Sequence, residues 1–201
     1  MNTEQLDGIL SRIIVPPTKF LGVFAKDQIP DTRSLTHYPS CFVANTDPST
    51  KPGEHWVAIW IESPESCEFF YSYGIAPNCY GFVISCTTVN PKPIQSLNSV
   101  VCGYYCIYFL YCRSRGLSLT QIQNSFSFSN SEWNDFQVSR FVHKHFGIYN
   151  PASRHFLVTN LAGHELDVLA FLSLRLSLHF CCYFLLFTQN KSRQKFYCPQ
   201  I

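Results

Sequence analysis

Asn98-Ser99-Val100-Val101-Cys102-Gly103-Tyr104-Tyr105-Cys106-Ile107-Tyr108-Phe109-Leu110 is the stretch on which the reading of this chain turns. Two good capping residues, Asn98 and Ser99, precede a run that is apolar on every side, the pattern of a buried helix rather than a surface one. Cys102 then falls in the first helical turn, where the macrodipole favours a thiolate. A free cysteine ionises near 8.5 and needs such help to act as a nucleophile at neutral pH. Gly103 beside it removes a side chain where a substrate carbonyl must approach. Cys106 lies one turn further along the same face and reads as a core residue. Cysteine is among the most commonly buried residue types.

Upstream, Gly53-Glu54-His55-Trp56 places a histidine after a turn and at the mouth of an apolar strand. A strand end is a rigid platform for a group that must hold its distance to sulfur, and the Trp56 ring can shield the imidazole. His55 is therefore the candidate base and Cys102 the candidate nucleophile, an imidazole–thiol pair of the kind thiol proteases use. Gln95 precedes the cysteine by seven positions. Its side-chain amide is placed to join the Cys102 backbone N–H in binding a tetrahedral oxyanion. His143 and His145 sit on a later amphipathic segment and are expected to face solvent. This chemistry needs no cofactor and no metal. A zinc site from Cys102, Cys106, Cys112 and His143 is a lesser alternative, because these residues lack the usual ligand spacings.

Around these motifs the chain predicts an α+β domain. Asn2 or Thr3 caps a first helix with Leu6, Ile9, Leu10 and Ile13 on one face, stopped by Pro16-Pro17. Residues 19–29 read as extended, and 40–45, 56–62, 68–73 and 83–89 as strands. Helices follow over 100–111, 119–124 and 132–145. The order of helix, strands and helices argues α+β rather than a wound parallel sheet.

The 201 residues carry a formal net charge of only +2, and 14% are charged, so no strong basic footprint for nucleic acid is present. The ten cysteines follow a polar N-terminus without a secretory pattern, and read as reduced thiols of an intracellular protein, nuclear or cytoplasmic. The domain is expected to occupy residues 1–149, with 150–201 as an atypical apolar tail. Within that tail, 168–187 is about 20 mostly apolar residues, the length of a bilayer-spanning helix. Arg175 and His179 near its middle argue against insertion.

The series Phe20-Leu21-Gly22, Asn45-Thr46, Gly53-Glu54-His55-Trp56, Phe70 to Gly74, Gln95 and Asn98-Ser99-Val100-Val101-Cys102-Gly103 resembles, in order, the adenovirus-type (adenain-like) cysteine endopeptidases. Gly22-Val23-Phe24-Ala25-Lys26-Asp27 and Asn45-Thr46-Asp47-Pro48 are most similar to the version carried by Polinton/Maverick DNA transposons. The resemblance covers residues 1–149. It implies the α+β fold shared with ubiquitin-like-protein-processing proteases: an N-terminal helix, a central mixed or antiparallel sheet and a buried nucleophile helix. It also implies cleavage of capsid or virus-like polyprotein precursors, as in virion maturation. SUMO-type peptidases place the glutamine six before the cysteine with Asp next to it; here the spacing is seven and Val101 stands there. A SUMO or ubiquitin-like-protein peptidase remains an alternative.

One position departs from the pattern. Where the family carries an acid on the third strand to orient the histidine, this chain has Tyr71. Ser72 and Glu68 are the neighbours able to compensate, but strand alternation turns Glu68 to the opposite face. Losing an orienting acid costs orders of magnitude in rate without abolishing the reaction, so an impaired enzyme and an inactive protease-fold binding module both stay open. The resemblance further implies protein or peptide substrates, an activating peptide and a DNA contact. The balanced charge speaks against the DNA contact. Cys86 stands near where the family offers a cysteine to the activating peptide, yet it reads here as a half-buried strand residue.

Overall fold

A computed structural model describes residues 1–84 and 88–147. The first helix, α1 (Thr3–Ile13), begins where the capping signal sits: the Asn2 side chain accepts from Gln5 N–H and the Gln5 side chain returns the bond to Asn2 N–H. Its buried residues are Leu6, Ile9, Leu10 and Ile13, the face the sequence spacing predicts.

Five strands form one mixed sheet in sequential order: β1 (Lys19–Phe24), β2 (Ser40–Asn45), β3 (Trp56–Ser63), β4 (Ser66–Phe70) and β5 (Thr88–Val89). The β1–β2 and β4–β5 pairs are parallel; β2–β3 and β3–β4 are antiparallel. Every residue of β2 is buried, because both faces of the sheet are covered. Cys41, Val43, Ala58, Trp60 and Phe70 face the helical core, while Phe42, Ala44, Val57, Ile59 and Phe69 build a second apolar layer on the other face. Alternation along the strands sorts one set from the other.

Against the first face packs α2 (Cys102–Arg113), buried on nearly all sides, with the Phe109 ring stacked on Phe70 at 4.4 Å between centroids. The helices α3 (Leu119–Gln123) and α4 (Ser131–Phe146) complete this layer. Cys106 is a core residue, and His143 and His145 are exposed, as the sequence predicts.

Several expectations are corrected. The helix expected from Val100 begins at Cys102, with Val101 as N-cap and no side-chain cap; Asn98 and Ser99 lie before it in a turn closed by Ser99 N–H to Ser96 O. The strand read over 83–89 contracts to Thr88–Val89, with Val83 almost fully exposed. The strand expected to run to Tyr73 ends at Phe70, after which the Asn90 side chain pairs with the Tyr71 backbone in place of a strand neighbour. Cys86, the 168–187 stretch and the expected tail as a whole lie outside the described residues. No helix among the described residues is long and apolar enough to cross a membrane.

Candidate active site

Cys102 is the first residue of α2 and is buried. Burial pushes its thiol up from the ordinary 9.0, and the N–H groups of Trp56 and Gly103 pull it back only in part. The helix-terminus argument alone predicts a lowered value. Desolvation wins because the sulfur sits between a packed helix and the first residue of β3. The resting site thus favours the thiol, and a base is needed to take its proton.

The candidate base stands next to Trp56, whose indole packs on Gly103 beside the nucleophile. His55 immediately precedes β3, and its main chain is fixed twice by Thr46: His55 N–H donates to Thr46 Oγ1 at 3.2 Å, and Thr46 N–H to His55 O at 2.9 Å. The turn before it hangs on Asn45, whose Oδ1 accepts from Asp47 N–H and Glu54 N–H at 2.9 and 3.1 Å. Gly53 has φ +95°, and a Cβ there would lie 2.7 Å from the Asn45 amide. Only glycine fits beneath this carboxamide. Asn45, Thr46 and Gly53 form one device that fixes the angle at which Glu54 and His55 leave the sheet.

The imidazole lies against two phenol rings, Tyr71 at 6.0 Å and Tyr73 edge-on at 5.3 Å between centroids. A charge on Cys102 disfavours the phenolate at both tyrosines, so the sulfur, the imidazole and these rings share one neighbourhood. The Tyr71 hydroxyl pairs with Tyr80 Oη at 3.3 Å, and burial holds that phenol neutral. Tyr71 therefore offers His55 a tilted aromatic ring rather than a negative charge. Glu68, turned to the other face as alternation requires, accepts from Arg113 Nε at 2.8 Å. The carboxylate in contact with the imidazole is that of Glu54, Oε1 3.7 Å from Nε2. The sequence reading passed over Glu54, because a residue beside a histidine in a turn gives no spacing signal.

Gln95 is buried at the centre of a polar web. Its Oε1 accepts from Ser72 Oγ at 2.6 Å, and its Nε2 lies against Tyr73 Oη, Ser99 O and Ser99 Oγ at 3.0–3.1 Å. Ser72 thus supports Gln95 rather than His55. Asp135 on α4 grips the same segment: it accepts from Tyr105 Oη at 2.8 Å and from Ser96 N–H at 3.2 Å, while neighbouring Asn134 donates to Ile94 O at 2.9 Å. Burial raises the Asp135 carboxyl to about 6, against the hydrogen bonds from Tyr105, Ser99 and Ser96. Asp135 is a second residue that sequence reasoning missed; it shows only as one polar position on an amphipathic helix.

Gly103 has a more crowded setting than the sequence implies. A Cβ there would come within 3.4 Å of the Trp56 indole and within 3.3 Å of the Met1 sulfur, and Trp56 Nε1 donates to Met1 O at 3.1 Å. Beside Trp56 opens a cavity of about 270 Å³ lined by Val23, Phe24, Asn45, Asp47 and Gly53 among others.

No family model matches this chain. A protein named "Protease" from Bovine adenovirus 4 is 32% identical over 90 residues, covering 35% of this chain and 45% of that protein. The chain thus matches less than half the length of that curated relative. The similarity supports a relationship to a protease.

Proposed function

We propose that the chain is a cysteine endopeptidase of the adenain-like type, with residues 1–149 as the peptidase domain. The observation that carries this reading is that Trp56, the neighbour of His55, packs closely on Gly103, the neighbour of Cys102: a Cβ on Gly103 would lie 3.4 Å from the indole. The strand end bearing His55 therefore lies against the start of the nucleophile helix. Cys102 attacks the scissile carbonyl while His55 takes its proton and later returns it to the leaving amine. The Cys102 N–H and the Gln95 amide stabilise the oxyanion. For the latter, the amide must release one of its Ser99 or Tyr73 acceptors when substrate arrives. The cavity beside Trp56 is large enough for substrate side chains. It borders Gly53 and Trp56, which flank the Glu54–His55 turn. On the adenain-like reading the substrate is an extended peptide, with capsid or virus-like precursors as the substrate class.

A second reading is favoured by Tyr71. A buried neutral phenol paired with Tyr80 cannot supply the charge that an orienting acid supplies, and a catalytically inactive binding module on the same fold follows if nothing replaces it. Incubation of the full chain with a peptide vinyl sulfone separates the two. Covalent modification of Cys102, abolished by His55→Ala, is the expected result. A folded protein whose Cys102 stays unmodified refutes the peptidase and leaves the binding module.

A further inference from the structure

We propose that Glu54 is the positioning residue for His55, its carboxylate supplying the electrostatic support that Tyr71 does not. The proposal rests on the cysteine-peptidase reading and specifies how that site works without an acid on β4. Four observations carry it. The carboxylate is 3.7 Å from His55 Nε2. The other nearby acids are engaged elsewhere: Glu68 with Arg113, Asp135 with Tyr105 and Ser96, and Asp47 with Lys51 at 3.6 Å. The Tyr71 hydroxyl is turned to Tyr80. The backbone of both partners is pinned, Glu54 by Asn45 and His55 by Thr46, so the points from which the two side chains leave the main chain are fixed.

The proton balance is simple. On attack, the S–H bond of Cys102 breaks as the new S–C bond forms, and the proton passes to the imidazole. The imidazolium that results faces the Glu54 carboxylate, which keeps its charge and takes no proton. The proton then leaves with the amine of the departing peptide. Glu54 acts through His55 and touches neither substrate nor sulfur.

The pair differs from a buried triad acid in one respect that can be measured. The Glu54 side chain is 65% exposed and that of His55 25%, so salt screens their attraction. An exposed pair of this kind contributes about 0.2–1 kcal/mol, a rate effect of about 1.4- to 5-fold. The test measures the second-order rate of Cys102 labelling by a peptide vinyl sulfone on the full chain, across pH and salt, for wild type, Glu54→Gln, Glu54→Asp and His55→Ala. Expected is a loss of about 1.4- to 5-fold in Glu54→Gln at low salt, shrinking towards nothing at about 1 M salt, where the Debye length is about 3 Å. Glu54→Asp should recover part of the rate, and melting temperatures should not change. Should Glu54→Gln superpose on wild type at every pH and salt while His55→Ala still slows labelling, the Glu54 proposal is overturned and the peptidase stands. Should His55→Ala also leave labelling unchanged, the peptidase reading falls, and this proposal with it.

Discussion

Replacing Asp135 by Asn removes the one buried carboxylate that ties α4 to the Gln95 segment, and its consequence for stability can be worked from the structure. Asp135 is nearly enclosed. Burial is the main reason its carboxyl rises from 3.8 to about 6, the Glu132 charge adding to it and the Tyr105, Ser99 and Ser96 donors opposing it. The phenols of Tyr73 and Tyr105 also face this charge. A raised folded-state value means that, between those two pH values, the folded chain holds a proton that the unfolded chain has released. Stability must then fall as pH rises through this window. At about 1.4 kcal/mol per pH unit, the full effect is about 3 kcal/mol, present below 3.8 and lost above about 6. An asparagine has no proton to lose, so Asp135→Asn lacks this contribution to the pH dependence. Urea unfolding of both proteins from pH 4 to pH 8 is the assay. Expected is a stability difference that moves in favour of Asp135→Asn by about 2–3 kcal/mol across that range. A difference that stays level, or that moves towards wild type as pH rises, would refute the reasoning.

Gly74→Ala should be destabilising by at least about 1–2 kcal/mol, read by chemical unfolding, because φ is +67° and the new Cβ would lie 2.5 Å from the Lys92 carbonyl carbon. The same change displaces the Tyr73 hydroxyl from Gln95 and should slow Cys102 labelling. Arg113→Ala strips Glu68 of its 2.8 Å partner and Trp60 of a guanidinium 4.7 Å above its ring. It should cost about 2–3 kcal/mol, since a carboxylate half-removed from water loses its counter-charge, while Cys102 labelling in the folded protein stays at the wild-type rate. Cys106→Ser should leave a vinyl sulfone adduct at Cys102, detected by peptide mass mapping. An adduct that disappears with Cys106 would reassign the nucleophile.

The elements legible in the sequence are those whose burial is set locally. The face of α1 repeats at helical spacing, β3 reads as a strand because it is dense in β-branched and aromatic residues, and β2 because it is a short apolar run ahead of the turn-rich 46–53. The run of α2 reads as a central helix because it is apolar on every side and longer than a typical strand. Misreadings arise where a side chain is committed to a distant partner. Ser99 looks like a cap, but it is held by Gln95 and Asp135, so the helix starts later, at Cys102. Residues 71–73 read as strand, but Asn90 takes over the Tyr71 backbone pairing and the strand ends at Phe70, three residues sooner. The site divides in the same way. The proposed site residues His55, Gln95 and Cys102 stand in motifs, and Tyr71 stood out through the resemblance as the place where an acid is expected. Glu54 and Asp135 were not legible, since one gains meaning only from a 3.7 Å approach to an imidazole and the other only when α4 packs on the Gln95 segment. A lowered Cys102 thiol, expected from its place at a helix terminus, is overturned by the fold, because burial there outweighs the backbone N–H contacts that lower it.

The central claim, that His55 activates Cys102, is tested most directly by the rate of iodoacetamide alkylation at Cys102 against pH, in the full chain and in its His55→Ala variant, with the site read by mass spectrometry. Burial holds the thiol up, so labelling near pH 7 depends on the imidazole taking the proton. The account predicts a rate at pH 7 at least about tenfold higher in wild type than in His55→Ala, within what a positioned base contributes. Two coincident profiles, each rising only with the ionisation of a buried thiol, would contradict it.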